Sequence, residues 1–268
     1  MRKHIRHFIL FSYLMFFLFI GLIGMVMYLL NMPSLGTFLQ TVSAWSPTFV
    51  FLIMFKRIYP ADSRLRFIQE QFSVKVEPRI LLVSILLPLM VFLGTLGFVI
   101  FFYQIPVNQL VITSPVTLLY MLPVHLIAGP LGEELGWRSF LSIELEKKYS
   151  LLASAVRVGL IWGFWHLPLW LVSGLAWGPL LVYVSSFLIS IVCCSIIIGL
   201  LYNKCRNLSI PILVHLLNNY LIGLFTFNMV ERLAIYAFFY VIVTVSLILI
   251  NKHKQCRVGC SQIKKTPK

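Results

Sequence analysis

Three short runs carry side chains able to do chemistry: Glu133-Glu134-Leu135-Gly136-Trp137-Arg138, Trp162-Gly163-Phe164-Trp165-His166 and His215-Leu216-Leu217-Asn218-Asn219. Each lies in a stretch otherwise apolar enough for a bilayer. On a helix, Glu134 and Arg138 are four residues apart and share a face, so they can pair. Glu133 points about 100° away from Glu134 and is free for another task. His215 and Asn219 repeat the four-residue spacing, as do Trp162 and His166. A carboxylate with an imidazole can hold and deprotonate a water. A second imidazole and an amide N–H can stabilise the oxyanion that forms when that water attacks a carbonyl. Arg138 can hold Glu134 ionised. The constellation describes peptide-bond hydrolysis inside a membrane. It also admits zinc on Glu133, His166 and His215, although the single-helix H-E-x-x-H signature is absent. A blander account makes Glu134–Arg138 a structural clamp and the histidines interhelical donors.

The elements that must position these groups follow from composition. The chain has 268 residues, 60% of them hydrophobic and 11% charged, against about 25% charged in soluble domains. Such a chain lacks the polar surface of a soluble fold. The expected class is all-α, a single polytopic membrane bundle over 1–268. A ruler of about 20 apolar residues per span gives eight transmembrane segments: 8–30, 38–55, 80–103, 113–143, 150–172, 178–201, 209–227 and 232–250. The fourth is too long for a simple span and predicts a tilt, an extension or a break at Gly129–Pro130. The chemistry-bearing core is then about 113–228, followed by a basic tail over 251–268.

Charge supports that count. With the N-terminus inside, segments 1–7, 56–79, 144–149, 202–208 and 251–268 hold 19 of the 22 Lys and Arg residues. The opposite loops hold none, with Arg232 at a boundary. This is positive-inside topology with both termini cytoplasmic, in a multi-pass protein of the cell membrane. The first apolar run exceeds the roughly 7–15 residues of a signal h-region and lacks a cleavage site, so it reads as a retained span. The net charge of +14 is explained by this topology and by contact with anionic lipids, without a nucleic-acid partner. Segment 56–79 is expected along the inner surface. Five cysteines at 193, 194, 205, 256 and 260 are expected to stay reduced, with Cys256 and Cys260 as possible acylation sites. His125 reads as an interhelical donor, and Arg157 as a partner for Glu144 or Glu146.

At this point the sequence resembles the CAAX protease and bacteriocin-processing (CPBP, or Abi) intramembrane proteases, which include the type II CAAX prenyl endopeptidases. That family's E-E-x-x-x-R motif stands here at Glu133, Glu134 and Arg138. Its F-x-x-x-H motif appears as Trp162 to His166, with tryptophan for the usual phenylalanine, a swap expected to keep the packing role. Its H-x-x-x-N motif is His215 to Asn219. The resemblance implies that Glu133 and His166 activate water, that His215 and Asn219 form the oxyanion pocket, and that Glu134 and Arg138 support the site. It implies a glutamate-dependent mechanism with no metal favoured, a zinc-dependent version remaining the alternative.

The sequence therefore reads as an intramembrane endopeptidase acting on a membrane-embedded or lipidated peptide or protein. From the place of Glu133 and Arg138 in the fourth span, its site is expected to open to the cytoplasmic half of the bilayer. The alternative class is a non-catalytic bacteriocin-immunity or partner-binding membrane protein that keeps the motif residues for structure. A transporter fits less well, because no second broken span matches the fourth.

Overall fold

The computed structural model of the chain describes residues 2–263. Lys264, Lys265 and Lys268 of the basic tail lie outside the described residues, as do the side chains of Lys254, Cys256, Arg257 and Cys260. The first half comprises α1 (Arg2–Leu29), α2 (Pro33–Ser43), α3 (Ser46–Ile58), α4 (Arg64–Glu70), α5 (Pro78–Tyr103) and α6 (Val107–Leu110). The second comprises α7 (Pro115–Ile127), α8 (Pro130–Glu134), a π-helical segment (Leu135–Ser142), α9 (Ile143–Glu146), α10 (Leu151–Trp165) and α11 (Leu167–Leu171). It ends with α12 (Trp177–Cys205), α13 (Ser209–Gly223) and α14 (Met229–Ile263). Apart from one isolated bridge, Val111 to Phe225, there is no β-pairing among the described residues. The all-α polytopic class expected from composition is what the chain adopts. Its outer faces are apolar: Leu18, Phe101, Leu119 and Leu181 are largely exposed, as lipid-facing positions should be.

Five helices are long and apolar enough to cross a membrane: Lys3–Leu29, Pro78–Tyr103, Pro115–Glu146, Trp177–Cys205 and Met229–Lys252. A sixth forms if Ser34–Ser43 and Ser46–Ile58, bent by 49° at their break, count as one. The segments expected at 150–172 and 209–227 become helices of only 15 residues, α10 and α13. At a rise of about 1.5 Å per residue each runs about 22 Å, short of a hydrocarbon core of about 30 Å. In the first case the cause is local. α10 stops at His166, and Pro168 in the first turn of α11 has no N–H to continue it.

Loop contacts sort the two ends of the bundle. Arg206 pairs with Glu146 at 2.5 Å, joining 202–208 to 144–149. Asn207 donates to the carbonyls of Phe72 and Val74, and the Leu208 amide to Gln71, which docks 56–79 on the same place. At the other end, Ile112 donates to Leu224 and Thr226 to Leu110, tying two connections that contain no Lys or Arg. Three of the basic connections thus meet at one end and two basic-free ones at the other.

α10 and α12 approach closely through small residues. A Cβ on Gly159 would lie 2.8 Å from the Val192 backbone, and one on Gly163 would lie 2.6 Å from Leu188. Such small-residue seams let backbones pack where hydrophobic burial supplies no net drive. This seam sets α10, and with it Trp162 and His166, against the core.

Candidate active site

The fourth span is broken where the sequence suggested. α7 ends at Ile127, Ala128 and Gly129 form a turn, and Pro130 starts α8. A helix end leaves carbonyls without intrahelical partners. Here the Trp45 indole, at the α2–α3 bend, donates to the Ile127 carbonyl at 2.9 Å, so each bend holds the other. Beyond Glu134 the helix widens into π-helical turns, a geometry that recurs at functional sites. All eight residues of that segment are buried. Phe8 packs edge-on against both Trp137 and Phe140, and Phe51 stacks on Phe140.

Glu133 and Glu134 are both buried, and they face different partners. Glu134 accepts from Arg138 Nε at 2.9 Å and from His215 Nδ1 at 2.8 Å, one bond to each oxygen. Arg138 is fully buried, and its Nη1 donates at 2.9 Å to Ser195 Oγ, which donates in turn to the Ala155 carbonyl. Its Nη2 has no hydrogen-bond partner, but the guanidinium lies 5.3 Å from the Trp162 ring centroid, within cation–π range. Glu133 Oε2 accepts from the Trp162 indole at 2.5 Å and from the Trp137 indole at 3.4 Å. Oε1 is left for the cavity.

That cavity has a volume of about 360 Å³ and is bordered by Glu133, His125, Trp162, His166, His215 and Asn219, among others. The hydrogen-bond partners assign the tautomers. A carbonyl only accepts, so His166 Nδ1, 2.9 Å from the Trp162 carbonyl, carries the proton and leaves Nε2 with a lone pair. His215 Nδ1 likewise carries a proton toward Glu134. Asn219 is oriented by a relay: Tyr240 donates to Asn218 Oδ1 at 2.8 Å, and Asn218 Nδ2 donates to Asn219 Oδ1 at 2.9 Å. Asn219 Nδ2 is thereby freed as a donor. A Cβ on Gly129 would sit 3.0 Å from that nitrogen and 3.6 Å from His215 Nε2, so the turn at Gly129 is where the two groups converge.

The structure brings Glu133, His166, His215 and Asn219 to one cavity and pairs Glu134 with Arg138, as the spacing suggested. Several readings need correction. His125 is not an interhelical donor: its Nδ1 bonds the Met121 carbonyl of its own helix at 2.8 Å, and its ring borders the cavity. Arg157 pairs with neither glutamate. It stacks on Tyr149 and donates to the Ala153 carbonyl, while Glu144 holds Lys147 and Glu146 holds Arg206. Trp162 does more than pack, because its N–H anchors Glu133 as no phenylalanine can. The cavity also reaches Tyr183, Gly223, Met229 and Arg232, at helix ends beside the basic-free connections. It therefore extends away from the basic end, against the expected opening toward the inner half. The alternation of the basic-poor loops carried the signal that Glu133's position in its own span did not.

Among the described residues no three His, Cys, Asp or Glu side chains are grouped as a metal-ligand set.

Comparison with known proteins agrees with the motifs. Residues 115–221 match the family model described as type II CAAX prenyl endopeptidase Rce1-like. That segment runs from the start of α7 into α13 and contains Glu133, Glu134, Arg138, His166, His215 and Asn219. A CAAX prenyl protease 2 of Methanococcus maripaludis is 33% identical over 92 residues, covering 32% of this chain and 34% of that protein. The chain thus aligns with about a third of that relative's length, and over the matched segment the family resemblance read from the motifs is borne out.

Proposed function

We propose that this chain is an intramembrane endopeptidase in which Glu133 and His166 activate a water against a peptide carbonyl. The observation that carries the reading is the set of free polar atoms around one cavity: Glu133 Oε1, His166 Nε2, His215 Nε2 and Asn219 Nδ2, each with its other heteroatom occupied. The His166 Nε2 lone pair accepts a hydrogen bond that orients the water, and the ionised Glu133 takes the water's other proton as the oxygen attacks the carbonyl carbon. The carbonyl oxygen becomes an oxyanion, met by Asn219 Nδ2–H. His215, its Nδ1 held on Glu134, borders the same pocket beside Asn219. Collapse of the adduct breaks the C–N bond, and Glu133 returns its proton to the departing nitrogen. Glu134, Arg138 and Ser195 act through His215 by holding its ring.

The depth of the cavity favours a membrane-embedded or lipidated peptide as substrate, and the name of the matched relative is consistent with a lipidated C-terminus. Positive-inside topology puts the basic end at the cytoplasm and at anionic lipids. The test compares membrane peptides from cells carrying the wild type and Glu133→Gln. An uncut precursor should accumulate only in the variant. Identical peptide profiles, with both proteins folded and equally abundant, would favour the non-catalytic partner-binding reading.

A further inference from the structure

The cavity holds a cation that the proposed hydrolysis does not use. Arg232, in the first turn of α14, is the only Lys or Arg among the described residues that border it. Its Nη1 donates to the Phe225 carbonyl at 2.6 Å, which fixes the guanidinium against the α13–α14 connection. Its Nε is buried without a hydrogen-bond partner. By contrast Arg138 is matched by Glu134, Arg206 by Glu146, Arg66 by Glu70, and Arg157 by the Tyr149 ring. No ion pair among the described residues includes Arg232. A charge in a membrane protein faces a partner or a wet cavity, and an unmatched one inside a cavity marks a pathway or a ligand.

Its chemistry selects the ligand. The guanidinium is permanently charged, and its planar fork of donors matches a carboxylate through two parallel hydrogen bonds. The other groups of the cavity wall are already engaged: Glu133 repels an anion, His166 serves the water and His215 is held on Glu134. We propose that Arg232 is a specificity determinant that binds a carboxylate of the substrate peptide while its scissile carbonyl lies at Glu133 and Asn219. This rests on the cavity being the hydrolytic site. The carboxylate can be a free peptide C-terminus or an acidic side chain beside the scissile bond, one chemistry from two sources.

The experiment separates binding from cleavage by using the full-length Glu133→Gln protein in detergent. The probes are fluorescein-labelled, S-farnesylated peptides ending Cys-Val-Leu-Ser, one with a free C-terminal carboxylate and one amidated. A third, also amidated, carries Glu in place of Ser. Glu133→Gln should bind the acid about tenfold or more tightly than the amide. In Glu133→Gln/Arg232→Gln that preference should vanish, and Arg232→Lys should keep part of it. If the amidated Glu peptide recovers the affinity, a side-chain carboxylate serves; if it does not, the C-terminus is the group read. Equal binding of acid and amide, an acid preference that survives Arg232→Gln in a folded protein, or no binding of any peptide would each overturn the proposal. So would competition by phosphatidylglycerol vesicles that abolishes binding of acid and amide alike, since that marks a lipid phosphate. Wild-type cleavage of the same peptides is scored separately. An Arg232-dependent acid preference without cleavage sinks the peptidase and spares the carboxylate site. Cleavage indifferent to the carboxylate does the reverse.

Discussion

Trp162→Phe is the perturbation that isolates what the structure adds to the motif. The substitution keeps an aromatic ring between α10 and the π-helical segment, and a face for the Arg138 guanidinium. It removes the 2.5 Å indole bond to Glu133 Oε2 and leaves only the 3.4 Å bond from Trp137. A hydrogen bond to a charged acceptor contributes about 1.5–3 kcal/mol. If Glu133 must be held in place as it takes a proton, losing that anchor should lower kcat by about 10- to 150-fold, at about 1.4 kcal/mol per tenfold. KM should change little, because the lost N–H is bonded to Glu133 and not offered to the cavity. The assay is cleavage of a labelled membrane peptide by protein reconstituted in proteoliposomes, with Tm measured in parallel. Trp137→Phe serves as the internal comparison and should cost less than Trp162→Phe, its bond being long. A kcat within twofold of wild type at unchanged Tm would refute the claim that Trp162 anchors Glu133. The family motif usually has phenylalanine here, so a large loss would mark a dependence particular to this chain.

Other perturbations test neighbouring links. Glu134→Ala strands the buried Arg138 and unties His215. Breaking one side of a buried pair costs about 3–5 kcal/mol, which should appear as a large drop in Tm or in expression. Ser195→Ala removes one Arg138 partner and should cost about 1–3 kcal/mol of stability, with a smaller effect on kcat. Tyr240→Phe releases the Asn218–Asn219 relay. It should lower kcat about fivefold, for a loss of about 1 kcal/mol, while Tm stays close to wild type. An unchanged kcat would show that the Asn219 amide is oriented by other means.

The parts of this site that could be read in the sequence are those set by local geometry. The i,i+4 spacing puts Glu134 beside Arg138 whether the turn is α or π, and Gly129–Pro130 announces a helix break. Hydropathy gave the positions of the membrane segments, because every one of them must bury its backbone polar groups in hydrogen bonds. It did not show that two of them, α10 and α13, are helices of only 15 residues, the first stopped just before Pro168. The groups that orient the chemistry are far apart in sequence. Tyr240 reaches Asn218 across 22 positions, His215 reaches Glu134 across 81, and Trp162 reaches Glu133 across 29. No spacing rule links such pairs. Arg157 shows the same limit in reverse: several acceptors lay within its reach, and packing on Tyr149 decided among them. An aromatic residue in a motif is easily read as filler, and only its partner reveals that its N–H matters.

The central claim is that Glu133 removes a proton from the attacking water. The measurement that tests it most directly is single-turnover cleavage of a membrane peptide by wild type and Glu133→Gln, both reconstituted and shown to bind the peptide equally. A general base contributes about 10²- to 10⁴-fold, so the variant should cleave at least about a hundredfold more slowly with its Tm preserved. Cleavage by Glu133→Gln at the wild-type rate would contradict the account.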